Sequence, residues 1–264
     1  MIEGDYMYKI KKTILLILTT ASILLNGFQC YAVEPVAIHN TNISAQTDLE
    51  FVSNINNNNT QFIISEMNSN NKWYIMDRIL YKYYPEAYFQ DWYYQYDASG
   101  LRIVDIYKNS TGYLLNLSQE FYNRITVNDN SEYNAFIDYL IAAAGVSDNT
   151  NQDTAVMNIV NVLKAYPYDD ITFINLLNSG IPGYRIVRDY GITMCHSDSK
   201  LFKACMDRLG IPCRIIENSG HGWNQVLVNG SWVGVDVSYE RKTSSPGKYI
   251  YFNDSSRPVI QVFE

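Results

Sequence analysis

The 264-residue chain is poor in cysteine and histidine, with four residues of the first and three of the second. It contains no CxxC pair and no histidine cluster, although both are usual in structural zinc sites. We therefore expect no metal site and no cofactor. The scarcity also singles out one stretch, 191–240, which holds three of the cysteines and two of the histidines.

Basic residues are few as well. Lys and Arg number 20 against 27 Asp and Glu, so the formal net charge is −7. An acidic protein has little electrostatic attraction for the phosphates of nucleic acids or for anionic lipids. We expect no nucleic-acid partner and no membrane binding through basic patches.

The N-terminal region has the features of a secretory signal peptide. Three lysines within 9–12 precede an apolar run over 13–25, and a small-residue cleavage site ends at Ala32. The run is shorter than the roughly 18 residues of a membrane-spanning helix, so a membrane anchor is the less favoured alternative. The sequence predicts that residues 1–32 are a signal peptide. It also predicts a secreted protein with no stable membrane partner beyond that segment.

Three further segments are expected. An Asn-rich stretch that includes Asn56–Asn59 indicates a linker or surface region over 33–71. A small α+β unit is predicted over 72–150, and a catalytic domain over 151–264.

Periodicity supports this division. In the small unit, a helix over 72–84 is expected to end before Pro85, followed by strands over 88–96 and 101–107. Helical patterns over 131–144 and 154–166 lie on either side of a polar interruption.

Cys195 is predicted to lie at the start of a helix. Apolar residues follow it at spacings of three and four until Gly210 ends the pattern. Unpaired N–H groups and the positive end of the helix dipole favour a thiolate, which lowers the thiol pKa. This position favours Cys195 as a nucleophile.

A β-hairpin is predicted around Asn229-Gly230, the pair that a two-residue type I′ turn favours. With Val228 opposite Ser231, Trp223 faces Asp236 and His221 faces Ser238. One face then carries His221, Asp236, Trp223 and Trp232, and the other carries Val226, Val228, Val233, Val235 and Val237. Diagonal neighbours lie about 7 to 8 Å apart, so the His221 and Asp236 side chains can meet.

These residues fit a thiol acyl-transfer triad. His221 would take the proton from Cys195 and return one to the leaving amine, while Asp236 orients the imidazole. The contact between Cys195 and His221 is an inference, because hairpin geometry does not supply it.

The motifs in this stretch resemble the transglutaminase-like superfamily, which has a papain-like core. The resemblance covers about 153–240 and rests on a set of short motifs: Gly191-x-x-x-Cys195, Leu201-Phe202, Leu209-Gly210-Ile211-Pro212-Cys213-Arg214, His221-Gly222-Trp223-Asn224 and Trp232-x-x-Val235-Asp236. It implies an α+β fold in which a helix carrying the cysteine packs on an antiparallel sheet carrying the histidine and aspartate. It also implies a thioester on Cys195, and a small unit before the core as in bacterial secreted members. Ser197-Asp198-Ser199 departs from the Gly-Tyr-Ala-like trio usual after the cysteine.

Three further residues are candidate substrate-binding groups: Trp223, Tyr190 and His196. Packing within the hairpin is an equal alternative for Trp223. His196 is expected to be a poor partner for the thiol, because adjacent helical positions point about 100° apart. Cys205 and Cys213 are interpreted as small buried hydrophobes, with a disulfide between them left open.

The sequence thus predicts an exported enzyme acting on amide bonds of a protein or peptide substrate, with cell-wall peptide as an alternative. By resemblance, hydrolysis is favoured over cross-linking. A non-catalytic cell-surface binding or assembly module that keeps the fold is the competing hypothesis. An amidase directed at peptidoglycan is another.

Overall fold

The structure is a computed structural model that describes residues 44–85, 104–126, 130–147, 149–218, 220–255, 257, 259 and 261–263. The predicted signal peptide and the strand expected over 88–96 lie outside these residues.

Nine helices and eight strands form the described part of the chain. The helices are α1 Ala45–Asn56, α2 Lys72–Tyr83, α3 Gln119–Thr126, α4 Ser131–Ala143, α5 Gln152–Lys164, α6 Asp170–Asn178, α7 Gly183–Arg185 with its π-helical continuation Ile186–Tyr190, α8 Cys195–Arg208 and α9 Val237–Lys242. The strands are β1 Gln61–Ile63, β2 Val104–Lys108, β3 Tyr113–Leu117, β4 Cys213–Asn218, β5 His221–Val228, β6 Ser231–Val235, β7 Ile250–Phe252 and β8 Gln261–Phe263.

The first half contains a three-stranded antiparallel sheet of order β1-β3-β2. Helix α2 confirms the helix predicted over 72–84. The described part of the segment over 33–71, predicted to be a linker or surface region, contains α1 and β1. Phe51 and Ile55 of α1 are buried, because they lie four residues apart on one helix face. The Asn-rich run is confined to the end of that helix and the turn after it.

The second half is built on a five-stranded antiparallel sheet of order β7-β6-β5-β4-β8. The predicted hairpin is confirmed, with Val228 paired to Ser231. Asn229 and Gly230 both have positive φ, 50° and 78°, as a type I′ turn requires.

Helix α8 is the central element of this half. It packs on β4 and β5, while α4, α5 and α9 also contact it. From Ser197 to Met206 every residue is buried, including the polar ones. Gly210 follows the helix with φ 67°, the left-handed conformation that ends helices and that glycine adopts most easily. The predicted α+β architecture, with a cysteine-bearing helix packed on an antiparallel sheet, is therefore confirmed.

Buried apolar residues from both halves belong to one hydrophobic cluster, from Phe51 in α1 to Ile250 in β7. The proposed division at residue 150 stays a prediction. Among the described helices, none has both the length and the apolar character needed to cross a bilayer.

Candidate active site

The three predicted triad residues lie at the ends of three different elements. Cys195 is the first residue of α8 and is 4% exposed. His221 is the first residue of β5. Asp236 directly follows β6 and precedes α9. The packing of α8 on β5 brings these ends together.

Asp236 is an N-cap residue and not a strand residue, which corrects the predicted pairing with Trp223. The ladder ends at the Asn224–Val235 pair, and the Asp236 side chain accepts from the Tyr239 N–H at 2.9 Å. Aspartate is favoured at this position because it satisfies an unpaired helix N–H. The sheet carries the histidine, and the aspartate lies just beyond the end of β6.

The contact predicted between His221 and Asp236 is present nevertheless. His221 Nε2 lies 2.7 Å from Asp236 Oδ2, and Arg257 Nη1 lies 2.7 Å from the same oxygen. Burial of Asp236 acts to raise its pKa, but these partners outweigh it and hold the pKa below the usual range. Asp236 therefore carries a full negative charge against the imidazole.

The His221 ring is enclosed by aromatic rings. Tyr239 stacks on it at a centroid distance of 4.6 Å, and Trp223 lies nearly parallel at 6.0 Å. Burial acts to lower the pKa of His221, but the hydrogen bond that the ring donates to Asp236 and the interaction with Cys195 raise it to about 9. The imidazolium form is thus favoured at neutral pH.

Cys195 has the opposite shift. Burial acts to raise the pKa of the thiol, but the charge and hydrogen bond of His196, a hydrogen bond from His221 and one from the Gly222 backbone N–H lower it to about 5. The site therefore favours a thiolate beside imidazolium, the reactive form of a nucleophilic cysteine.

The expectation that His196 points away from the thiol is wrong. Its Nδ1 lies 3.4 Å from Cys195 Sγ, and its Nε2 lies 3.8 Å from Glu217 Oε1. Adjacent Cα atoms are only about 3.8 Å apart, so two side chains at a helix start can lean together despite the 100° between their directions.

Two other candidate substrate-binding residues lie apart from the thiol. Trp223 is 1% exposed, and its Nε1 donates to Asp254 Oδ2 at 2.7 Å, so it packs under the site and does not line a cleft. Tyr190, at 52% exposed, ends the π-helical turn. Among the described residues no hydrogen bond joins it to the triad, and its role in substrate binding stays a prediction.

Sequence reasoning missed Tyr168, which reaches the thiol from the segment between α5 and α6. A parallel bridge pairs Tyr168 with Thr193, two residues before the nucleophile. Burial, the charge of Cys195 and a hydrogen-bonding interaction with the thiol raise the pKa of the Tyr168 hydroxyl. Its hydroxyl therefore stays a protonated donor. Tyr184, another tyrosine upstream of the cysteine, is fully buried against Tyr133.

The residues that depart from the family pattern point into the protein. Ser197, Asp198 and Ser199 are each no more than 3% exposed. Asp198 accepts from both terminal nitrogens of Arg241, at 2.8 and 3.0 Å, and from Ser238 Oγ at 2.7 Å. This network ties the start of α8 to α9, the helix that Asp236 caps.

The remaining described cysteines are inert. Cys205 and Cys213 are free, buried thiols, and burial raises the pKa of each. Their interpretation as buried hydrophobes is confirmed. In the described ranges, no group of three or more His, Cys, Asp or Glu is arranged to hold a metal ion.

A scan of the sequence against protein-family models finds no match, and a search of curated proteins finds none either. Among solved structures, the chain is similar to one described as a TGase, with 16% identity, a TM-score of 0.36 and coverage of 62% of this chain and 56% of that one. It is also similar to a candidate cysteine protease from Cytophaga hutchinsonii, with 11% identity, a TM-score of 0.33 and coverage of 60% and 65%. The chain thus spans less than two thirds of the length of either protein.

Proposed function

We propose that this protein is an exported thiol enzyme that transfers acyl groups from amide bonds through Cys195, His221 and Asp236. The observation that carries the proposal is the meeting of a thiol of lowered pKa, an imidazole of raised pKa and a buried carboxylate at the ends of three elements. Export is supported by the signal-peptide pattern over 1–32.

Acylation would start from the thiolate of Cys195. Its sulfur attacks the carbonyl carbon of the amide, and a C–S bond forms. His221, as imidazolium, gives its proton to the leaving nitrogen as the C–N bond breaks. Asp236 keeps Nε2 engaged throughout, which leaves Nδ1 of the ring for the thiol and the substrate.

Two donors lie beside the sulfur for the oxyanion of the tetrahedral intermediate. One is the backbone N–H of Cys195, in the first turn of α8, where N–H groups have no partner within the helix. The other is the Tyr168 hydroxyl. Donors fixed in a partly buried site stabilise developing charge more strongly than water does.

Hydrolysis of a protein or peptide substrate is favoured over cross-linking. The proposal takes water as the acceptor of the acyl group, with cell-wall peptide as one substrate class.

A non-catalytic binding module is the competing function. The Ser197-Asp198-Ser199 departure allows such a module, but these residues are buried in a network behind the nucleophile and not in a cleft. A binding surface has no need of a thiolate held between two histidines.

The test is alkylation with limiting iodoacetamide from pH 4 to 9, read by intact mass, together with acyl-adduct detection after mixing with peptide amides and p-nitrophenyl acetate. We expect rapid single labelling above pH 5 that is lost in Cys195→Ala and slowed in His221→Ala. Cys205→Ala is the matched control and should label like the wild type. Slow labelling with an ordinary thiol pKa, unchanged by His221→Ala and without an acyl adduct, would leave the binding module as the better account.

A further inference from the structure

The thiol of Cys195 has two imidazole neighbours, and each has a carboxylate near its other ring nitrogen. His221 Nε2 lies 2.7 Å from Asp236 Oδ2, and His196 Nε2 lies 3.8 Å from Glu217 Oε1. The triad mechanism uses only the first pair. In the second pair, Nδ1 of the imidazole faces the thiol and Nε2 faces the carboxylate.

The two pairs differ in exposure. The His196 side chain is 31% exposed and that of Glu217 is 19%, against 14% for His221 and none for Asp236. An acceptor molecule that enters from solvent therefore meets the His196 ring first. His221 is covered by Tyr239.

The strand pairing builds the space for this second pair. Glu217 of β4 is directly opposite Gly222 of β5. A Cβ at Gly222 would lie 3.7 Å from both His196 Cδ2 and Glu217 Cγ, and 3.2 Å from Ser199 Oγ. A side chain at Gly222 would thus be in ordinary contact with the imidazole and the carboxylate, and it would crowd only Ser199 Oγ.

We infer that His196 is a second catalytic residue, the general base of deacylation, and that Glu217 orients it. The inference rests on the proposed function, because it needs a thioester on Cys195. His196 Nδ1 lies 3.4 Å from the reacting sulfur, and a neutral imidazole with its proton on Nε2, toward Glu217, would present its electron pair there.

In deacylation, water attacks the thioester carbonyl, and its proton passes to Nδ1 of His196 as the O–C bond forms. The C–S bond then breaks, and Cys195 leaves as a thiolate, the form that its surroundings favour. His196 loses the proton to solvent, and His221, which gave one to the leaving amine, regains one from solvent. No oxidant or other co-reactant is needed.

Burst kinetics with p-nitrophenyl acetate separate the two half-reactions. Its phenolate leaves without protonation, so the burst reports acylation and the steady state reports deacylation. At pH 8, His196→Ala should keep the wild-type burst amplitude while the steady-state rate falls by about 10² to 10⁴-fold, the usual contribution of a general base. Glu217→Gln should lower the steady state by a smaller factor.

Two readouts separate this role from a structural one. Added imidazole should restore the steady-state rate of His196→Ala, because the ring it replaces is partly exposed. In the wild type, the steady-state rate should rise with pH as His196 loses its proton. The pH profile of His196→Ala should lack this rising limb. Cys195 and Glu217 are the titratable groups beside that base, so Glu217→Gln should displace the limb without removing it.

Each other outcome has a definite meaning. A steady state in His196→Ala equal to the wild type, or a fall confined to the burst rate, would overturn the inference and leave His196 as a thiolate stabiliser. A wild-type protein without a burst, or a burst that survives in Cys195→Ala, would instead overturn the proposed function on which it rests.

Discussion

Arg257 and His221 bind the same oxygen of Asp236, each across 2.7 Å. The guanidinium also lies over the rings of Phe252, Tyr239 and Trp223, at 4.4, 4.9 and 5.1 Å from their centroids. The segment after β7 thus supplies a cation to Asp236, the acidic member of the proposed triad. Arg257 neutralises part of the charge that would otherwise act on His221 alone.

Without the Arg257 guanidinium, Asp236 should interact more strongly with the His221 imidazolium. In Arg257→Met, which keeps much of the apolar packing, we expect the pKa of His221 to rise further and that of Asp236 to rise as well. NMR titration of the ring nitrogens of ¹⁵N-labelled histidine measures the first change. Loss of a charge-assisted hydrogen bond should also lower the free energy of unfolding by about 1.5 to 3 kcal/mol.

Arg214→Met is the matched control. Arg214 also lies over a tryptophan, Trp232, at 4.2 Å, and it donates to Gln225. This variant should leave the His221 titration unchanged. An equal shift in both variants would mean that the effect is a general loss of positive charge.

Local signals predicted much of the site. The helix at Cys195 followed from apolar spacing, and the hairpin register followed from Asn229-Gly230. The position of Asp236 was misjudged, because period-two alternation continued past the point where the chain turns into α9. Aspartate before a short helix was the available signal.

The contacts of the site between residues far apart in the chain left no signal in the sequence. Arg257 is 21 residues from Asp236 along the chain, and Tyr168 reaches Cys195 through the bridge to Thr193. No period or turn motif encodes such meetings, since they depend on how helices and sheet pack. The contact of His196 was excluded by a rule on helix directions that ignores the length of the imidazole side chain.

Tyr168→Phe tests the second oxyanion donor. The change removes the hydroxyl beside Cys195 and keeps the ring over which the Lys242 amine lies at 3.9 Å. Acylation by a peptide amide should slow by about 10²-fold, the usual cost of one oxyanion donor. Iodoacetamide, whose reaction has no oxyanion, should still label Cys195. Tyr166→Phe serves as the control, and equal rates in the two variants would argue against the assignment.

The coupling between Cys195 and His221 should depend on pH. The pKa of Cys195 is lowered to about 5, so the stability that its thiolate contributes is lost as the pH falls through 5. The pKa of His221 is raised to about 9, so the contribution of its imidazolium is lost as the pH rises through 9. Urea unfolding of wild type, Cys195→Ala, His221→Ala and the double variant should give a coupling energy that is largest near pH 7. A coupling that does not change between pH 4.5 and 10 would contradict the ion pair.

Gly222→Ala tests the space at the start of β5. The new methyl group would lie 3.2 Å from Ser199 Oγ, closer than carbon and oxygen normally pack. Overpacking of this kind costs about 1 to 3 kcal/mol in unfolding free energy, and we expect the lower end because Ser199 can rotate. Ser199→Ala in the same chain should recover part of the loss in Tm. Gly210→Ala is the control, because no atom lies within 4 Å of its new methyl group and its cost comes from the φ of 67°. Adding Ser199→Ala to that variant should not recover Tm.

The Asp198 and Arg241 pair should stabilise the site in a non-additive way. Arg241→Met leaves a carboxylate that is 2% exposed without its cation, and such a loss costs about 3 to 5 kcal/mol. Ser238 and Thr193 still donate to Asp198, so a value near 3 kcal/mol is expected. The double variant Asp198→Asn/Arg241→Met removes both charges and should lose less stability than Arg241→Met alone, as measured by urea unfolding at pH 7. Additive losses would show that the two charges act independently.

Since the pair joins α8 to α9, Arg241→Met should also slow alkylation of Cys195, although Arg241 lies outside the proposed triad.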